Sequence, residues 1–492
     1  MENRIGTQVW DWRYWFGLVD NRPVAIFRIA FGLILLKDAI YHLFIADLFF
    51  SDKGITPPQG SFVLWPPEDF SLFFLHDSLA WAYVLILVWI GVTIALILGW
   101  QVRWAAILNW LIVVSVQERS PLIINGADVV MSVMSFWMMF LPLAEQYSLA
   151  SRGRPRNRYS YALPIRLAQL QVALIYFQTT ITKMPGGTWF DGNAVHYALN
   201  MTFVTSPVTD WVLSFLPAWA FVGIGWLTWI IELWFIIWLY FPWGQPRIRL
   251  VTLVSGYLLH LGIGMLMAVP NFSWIMMASY FLWWDGEWVG KLVKLVRRYG
   301  PFPARPASLA APDYQPVAGL RLGGRLLSSA FLLYTMFCVV WLLGRGAFGT
   351  NVPAVTGVSG SLIRAAGLAQ RWIMFSFGDT PGTDVWIAVV GEYEDGQLWD
   401  IQRDVPFDGT RHRWLIGPTA RFKKFEENLR EERAAAEPWA EYACRQGAKS
   451  GPDSRLVAVE VQLFQRVIND LGDPAGVYQP TTVDNLYRLE CP

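Results

Sequence analysis

The sequence is short of charge. Of its 492 residues, 16% are Asp, Glu, Lys or Arg and 54% are hydrophobic, against about 25% charged in ordinary soluble domains. So few ionic side chains cannot coat several water-facing domains, so much of the surface must face something other than water, and lipid is the natural candidate. Charge of one sign is missing as well. The 39 Lys and Arg against 38 Asp and Glu leave no basic excess to neutralise phosphates, which excludes nucleic-acid binding by bulk electrostatics. Three cysteines exclude a disulfide-dense scaffold and a multi-cysteine zinc fold. Five scattered histidines offer no ligand spacing, so no metal site is expected. The sequence lacks a dinucleotide GxGxxG, a P-loop and an HExxH motif, which removes nucleotide hydrolysis and zinc hydrolysis as starting points.

What the sequence does have is long apolar runs. A membrane span needs about 20 mostly apolar residues. The first run, about Val24 to Phe49, follows the polar segment MENRIGTQVWDWRYW and has no small-residue cleavage site, so it reads as a retained anchor. Further runs are about Leu79 to Leu98, Trp104 to Val116, Ala127 to Ala144, Ile165 to Thr182, Ala218 to Tyr240, Leu250 to Met267, Phe272 to Trp284 and Leu326 to Leu343. These predict a polytopic all-α membrane bundle of about nine transmembrane helices. Residues 1–22 form a cytoplasmic N-terminal segment in this reading, 23–345 the transmembrane domain and 346–492 a small extracytoplasmic α+β domain. The basic residues agree with that orientation. Arg103, the loop Ser151 to Arg158, the loop Gly244 to Arg249, and the stretch holding Lys291, Lys294, Arg297, Arg298 and Arg305 all fall on the predicted cytoplasmic side.

The last 150 or so residues regain charge. DVWIAVVGEYEDGQLWDI alternates around Asp395-Gly396, a hairpin signal. Ala420 to Cys444 has a helical pattern interrupted near Pro438, and Arg455 to Val467 and Asn485 to Cys491 read as strands. Cys444 and Cys491 could form a disulfide or a metal or catalytic pair, and an oxidising exterior favours the disulfide. Cys338, inside the ninth run, reads as a small packing residue.

Ionisable groups at membrane depth are functional candidates by default. Arg28 in the first run and Glu232 in the sixth lie at depths compatible with a structural ion pair, with a proton or ion pathway as the alternative. Toward the outer side, Asn125 and Asp128 open the fourth run, Lys183 closes the fifth and His260 sits in the seventh. Asn125 and Asp128 can be simple helix caps, Lys183 can snorkel to the interface, and His260 can be an interhelical hydrogen-bonding residue. Together they can also form an acid–base site, because desolvation frees a lysine amine and a histidine can relay its proton. After Lys183, Pro185-Gly186-Gly187 breaks the helix, Trp189 and Phe190 read as interfacial anchors, and Gly192 to Met201 as a surface helix that could cover the outer mouth.

The run YFQTTITKMPGGTWFDGNAVHYAL resembles the signature of the HTTM (horizontally transferred transmembrane) domain, shared with vitamin K-dependent gamma-glutamyl carboxylase. Lys183, Trp189, Gly192 and Tyr197 carry the match. VAIFRIAFGLILL, NGADVVMSVMSFWMMFLPLA, HLGIGMLMAVPNFSWIMMASY and QRWIMFSFGDTP agree with it. The resemblance covers residues 20 to 350 well and the tail more loosely. It implies a lysine base, here Lys183, with His260 matching a family histidine; Asn125 and Asp128, read from their shared depth, and Trp189 of the motif are the expected supporting polar cluster. It implies reduced vitamin K or menaquinol, with CO2 and O2, as cofactors, and coupling of hydroquinone epoxidation to carboxylation of a protein or peptide on the extracytoplasmic side. The alternative is a non-catalytic membrane scaffold, or a lipid- or quinone-binding protein, that presents its outer domain to a partner. The bilayer is a partner in either case, and the location expected is a plasma or inner membrane. A transporter is less favoured, because no continuous polar pathway links the two groups.

Overall fold

A computed structural model describes residues 8–56, 70–151, 158–241, 243–299, 322–348, 365–409 apart from 369, 371 and 379, and 420–492. Arg305 and parts of the loops 51–78 and 151–158 lie outside the described residues.

After a short helix α1 (Trp12–Phe16) and strand β1 (Leu18–Asp20), the chain forms α2 (Arg22–Phe49), α3 (Leu79–Leu98), α4 (Val102–Arg119) and α5 (Gly126–Met138). Strand β2 (Tyr159–Tyr161) pairs with β1 and leads into α6 (Leu163–Thr182). Two short helices follow, α7 (Thr188–Asp191) and α8 (Asn193–Asn200), then α9 (Pro207–Leu213), α10 (Ala218–Tyr240), α11 (Arg247–Leu266), α12 (Pro270–Ser279), α13 (Gly286–Tyr299) and α14 (Leu322–Phe348).

Local chemistry sets the ends of these helices. Pro23 and Pro164 occupy first-turn positions of α2 and α6, where a missing N–H leaves no bond unmade. Ser78 caps α3, accepting from the Trp81 amide. Gly99, at φ 70°, ends α3 in the left-handed conformation, and its N–H reaches the Ala95 and Leu96 carbonyls.

Four of the described helices, α2, α3, α10 and α11, are long and apolar enough to cross a membrane, where the sequence suggests about nine. The expected fourth and eighth runs become α5 and α12, of 13 and 10 residues. Helices that short are core elements rather than spans, and almost every residue of α5 is buried among its neighbours. Helix α4 keeps Arg103, Glu118 and Arg119 at its ends, and α6 carries Gln169, Gln171 and Gln178. Both run through the bundle interior, where their polar groups find partners. Trp89 donates to Asn109, Asn109 to Ser135, and Gln169 to the Leu282 carbonyl. Cys338 is buried in α14 with a free thiol.

The C-terminal region is an antiparallel sheet with strand order β5-β4-β3-β6-β7. β3 (Thr383–Tyr393) and β4 (Leu398–Asp400) make the hairpin that the Asp395-Gly396 signal anticipates. β5 is Val405–Pro406, β6 is Leu456–Val467 and β7 is Thr482–Glu490. The expected single interrupted helix is two, Ala420–Leu429 and Ala436–Gln446. The break falls at 430–435, ahead of Pro438, because a proline in the first turn of the second helix costs no intrahelical bond. Central strand β3 is buried on both faces. Ile387 and Val389 join the main core, while Trp386 stacks on Phe464 at 5.2 Å on the other side.

One hydrophobic core runs from the bundle into this sheet domain. Phe49, at the end of α2, packs edge-on against Phe422 and Phe425, and Phe425 against Trp439. Tyr442 donates to Asp47 of α2 at 2.9 Å, and burial together with that carboxylate pushes its phenol up to about 12. The opposite end of the bundle carries a surface network in which Arg22 and Arg158 meet Asp20 and Glu287.

Cys444 and Cys491 form a disulfide that closes a segment of 47 residues between the Ala436–Gln446 helix and the end of β7. Replacing both by serine is expected to lower stability by about 3 to 4 kcal/mol in the loop-entropy model. Denaturant unfolding of the full chain with and without reductant, against the double serine variant, measures this.

Candidate functional site: two buried polar groups joined by α12

Helix α6 ends deep in the bundle. Lys183, its C-cap residue, is 5% exposed, and its Nζ donates to Glu232 Oε1 at 2.5 Å. Glu232 lies about two-thirds of the way along α10 from its Ala218 end, about 21 Å at 1.5 Å per residue. The chain beyond Lys183 fills the space above the pair. Gly192, at φ 90°, packs so closely on α10 that a Cβ would lie 2.8 Å from the Val222 amide nitrogen. Gly225 of α10 faces the Trp189 carbonyl just as closely.

Three expectations change here. Lys183 does not snorkel, because a carboxylate meets it inside the protein. The expected Arg28–Glu232 ion pair is not formed: Glu232 takes Lys183, while Arg28 donates to the Leu143 and Tyr147 carbonyls, each at 2.6 Å. That turn after α5 supplies backbone acceptors that substitute for a carboxylate. Nor are Trp189 and α8 interfacial: Ala194 to Asn200 are all buried, and the Trp189 indole donates to the Phe375 carbonyl. The sheet domain covers this segment. Asn193 accepts from the Leu471 amide, and Tyr197 donates to Asp470. The Trp189 ring lies 4.3 Å from the Lys183 ammonium, a cation–π contact. His196, beneath the sheet domain, bonds Asn200, and burial lowers its affinity for a second proton.

His260 of α11 is buried beside this pair. Its Nε2 lies 2.6 Å from the Tyr176 hydroxyl, and that hydroxyl also bonds Tyr280. Tyr176 stacks on Phe235 of α10 with centroids 4.2 Å apart. Lys183 lies within electrostatic reach of His260, and Glu232 within reach of both phenols. Tyr176 has a single proton to donate, so it donates to either His260 or Tyr280 and accepts from the other group, if that group carries a hydrogen there. Within this group of five side chains, two buried atoms face no partner among the described residues, Glu232 Oε2 and His260 Nδ1, as do buried polar atoms elsewhere in the bundle such as His42 Nε2 and Tyr240 Oη. Together the residues form a lysine–carboxylate pair next to a hydrogen-bonded string of two phenols and an imidazole.

Asn125 and Asp128 belong to a different group. They form the capping box of α5, as a first-turn pair should. Asp128 also accepts from Arg421 of the sheet domain at 2.5 Å, and Arg421 reaches Asp38 of α2 at 2.8 Å. His42 sits one turn below Asp38, 3.6 Å away. Burial opposes the charge on Arg421, but the two carboxylates outweigh it and hold its proton above the ordinary arginine range. Sequence reasoning missed Asp38, His42, Tyr176, Tyr280 and Arg421. Asp38 and His42, four residues apart within an apolar helix, were a readable signal. Arg421 was not, because it lies far along the chain in an ordinary charged helix.

Helix α12 joins the two groups. Asn271 donates to Asp38, and the next residue, Phe272, packs on His260 with centroids 5.5 Å apart. Phe272 also faces Trp372 and lines a cavity of about 790 Å3 between the bundle and the sheet domain. Among the described residues, no cluster of His, Cys, Asp and Glu is arranged to hold a metal ion.

Among known proteins, the chain is 24% identical over 209 residues to the uncharacterized protein YitO of Bacillus subtilis (strain 168), covering 39% of this chain and 64% of that protein. It is 24% identical over 200 residues to the sporulation-delaying protein SdpB of the same organism, covering 38% of this chain and 59% of SdpB. The chain thus spans less than two-thirds of the length of each of these relatives. No family model matches the chain, and no solved structure matches it.

Removing Arg421 leaves two carboxylates buried without their cation. Arg421→Ala is expected to cost about 3 to 5 kcal/mol. Limited proteolysis should then cut the sheet domain far faster than in the parent, and Arg421→Lys should restore part of the protection, since a single nitrogen, Nη2, meets both carboxylates and an ammonium on a shorter side chain reaches that position less well.

Proposed function

We propose that the chain is an integral membrane protein, with its N-terminus cytoplasmic and its sheet domain extracytoplasmic, whose bundle houses an acid–base site acting on a lipid-soluble substrate. The observation that carries this reading is the buried Lys183–Glu232 pair next to the His260–Tyr176–Tyr280 string, with one oxygen and one ring nitrogen left unengaged. A purely structural ion pair needs no relay beside it. The four long apolar helices support the membrane reading, and the Cys444–Cys491 disulfide suits a sheet domain on an oxidising, extracytoplasmic side.

The HTTM resemblance suggests reduced vitamin K or menaquinol as the substrate, with O2 and CO2 as co-reactants. The residues present suit such a ring. Glu232 Oε2 and His260 Nδ1 have hydrogen-bonding capacity of the kind a hydroxyl group takes, and Trp189, Phe235 and Phe272 are apolar neighbours; the group is packed closed, so a ring enters as these side chains move aside. Bound there, a hydroquinone supplies the electrons that dioxygen accepts. In this role Lys183 serves as the base, with Glu232 Oε1, 2.5 Å away, as the group that takes up its proton. His260 holds the second contact and passes a proton toward Tyr176.

The second reading is a non-catalytic scaffold that presents the sheet domain to a partner, and the rigid seating of that domain through Arg421 favours it. The name of SdpB, a sporulation-delaying protein, allows a cellular role of that kind.

One experiment separates the readings. Purified full chain in nanodiscs, given reduced vitamin K or menaquinol with bicarbonate and oxygen, is expected to release epoxide. Lys183→Ala should abolish turnover but also strands Glu232, so the double variant Lys183→Met with Glu232→Gln serves as the folded control. That variant should melt near the parent temperature and be inactive. Turnover unchanged in both variants refutes the catalytic role of Lys183, and absence of turnover in the parent with every quinol favours the scaffold. For orientation, alkaline phosphatase fused after Pro492 is expected to be active and a fused green fluorescent protein dark; the reverse pattern overturns the topology.

A further inference from the structure

The cavity of about 790 Å3 lies apart from the Lys183–Glu232 pair, between the outer ends of α5, α11 and α12 and the sheet domain. Its volume suits one small-molecule ligand. Its walls are apolar, including Ala127, Val204, Ile263, Phe272 and Phe377. The helix Ala420–Leu429 and the residue after it place Lys423, Lys424 and Arg430 on the lining; among the described lining residues the one carboxylate is Glu427, which pairs with Lys424 at 2.9 Å, and Lys423 is engaged as well, which leaves Arg430 at the open edge. The lining is therefore amphipathic with a net positive edge. Neutral apolar molecules gain nothing from that edge, and free inorganic anions gain nothing from the walls.

We propose that this cavity binds a single-chain amphiphile with an anionic head, its chain along the Phe272 and Ile263 wall and its head group at Lys423, Lys424 and Arg430. The head-group end is remote from the acid–base group at Lys183, and only the Phe272 ring borders both. None of the three cations is near that pair or in the Arg421 lock. All three are at least partly exposed, so their replacement leaves the fold intact.

The test uses the full chain in nanodiscs made of neutral lipid, with radiolabelled oleate and oleyl alcohol as probes. Oleate should bind saturably and at least ten times more tightly than the alcohol. Lys423→Gln with Lys424→Gln and Arg430→Gln should bring oleate to the affinity of the alcohol. Ala127→Trp, which fills the apolar end, should weaken both probes, and Val204→Trp is a second filling variant should the first disturb α5. Equal affinity for oleate and its alcohol, or undiminished oleate binding in the charge-neutralised variant, overturns the proposal. Unchanged binding of both probes in the two filling variants also overturns it. Because the quinol assay reads Lys183 and this assay reads the cations of the sheet domain, each result stands whatever the other shows.

Discussion

A guanidinium removed from water has to be matched at contact distance, and Arg421 is matched by carboxylates from two different helices of the bundle. That single requirement fixes where the C-terminal domain sits. Asp38 and Asp128 are held in turn by Asn271 and by the α5 capping box, so the receptor for Arg421 exists only when α2, α5 and α12 are assembled. Apolar contact alone would not be so exacting. Phe422 and Phe425 could slide on Phe49 at little cost, whereas a shift of an ångström or two would strand a charge. With the domain pinned, its Phe375 carbonyl meets the Trp189 indole and its Asp470 meets Tyr197. The segment covering Lys183 is thereby held from above.

The second consequence concerns α12. It is too short to span a membrane, yet Asn271 and Phe272 are adjacent in sequence and face different groups, one the Arg421 cluster and the other His260. Successive residues on a helix point about 100° apart, so one turn can serve both. A movement of the sheet domain that disturbs Asp38 thus reaches the His260 ring through two neighbouring side chains. The physical content of this contact path is the shared rigidity of one helical turn.

Much of the architecture was legible because it is local. The apolar runs at Val24, Leu79, Ala218 and Leu250 became long helices nearly residue for residue, and the Asp395-Gly396 hairpin and the Cys444–Cys491 disulfide formed as read. Span counting failed where apolar character and lipid exposure part company. Helix α5 is as hydrophobic as a span, but it is short and surrounded by protein, and hydropathy cannot tell a buried wall from a lipid-facing one. The polar partners failed for another reason. Lys183 and His260 were visible as unusual residues, but Glu232 was assigned to Arg28 by depth alone, and depth does not record which face of a helix a side chain occupies. The backbone carbonyls that satisfy Arg28 leave no mark in a sequence at all.

Both buried groups come close to electrical neutrality. Lys183 and Glu232 contribute one charge each. Asp38 and Asp128 are balanced by Arg421 and, at the edge of the cluster, by Lys37, which donates to the same Asn271 that binds Asp38. Neutrality matters more for the first pair than for the second. In the Arg421 cluster a guanidinium cannot give up its proton under ordinary conditions, so the balance can only be structural. In the Lys183 pair the proposed acid–base role would pass a proton along one hydrogen bond, which leaves the net charge of the site unchanged. The bundle therefore contains one ionic contact whose balance can only be structural and one on which the proposed chemistry rests.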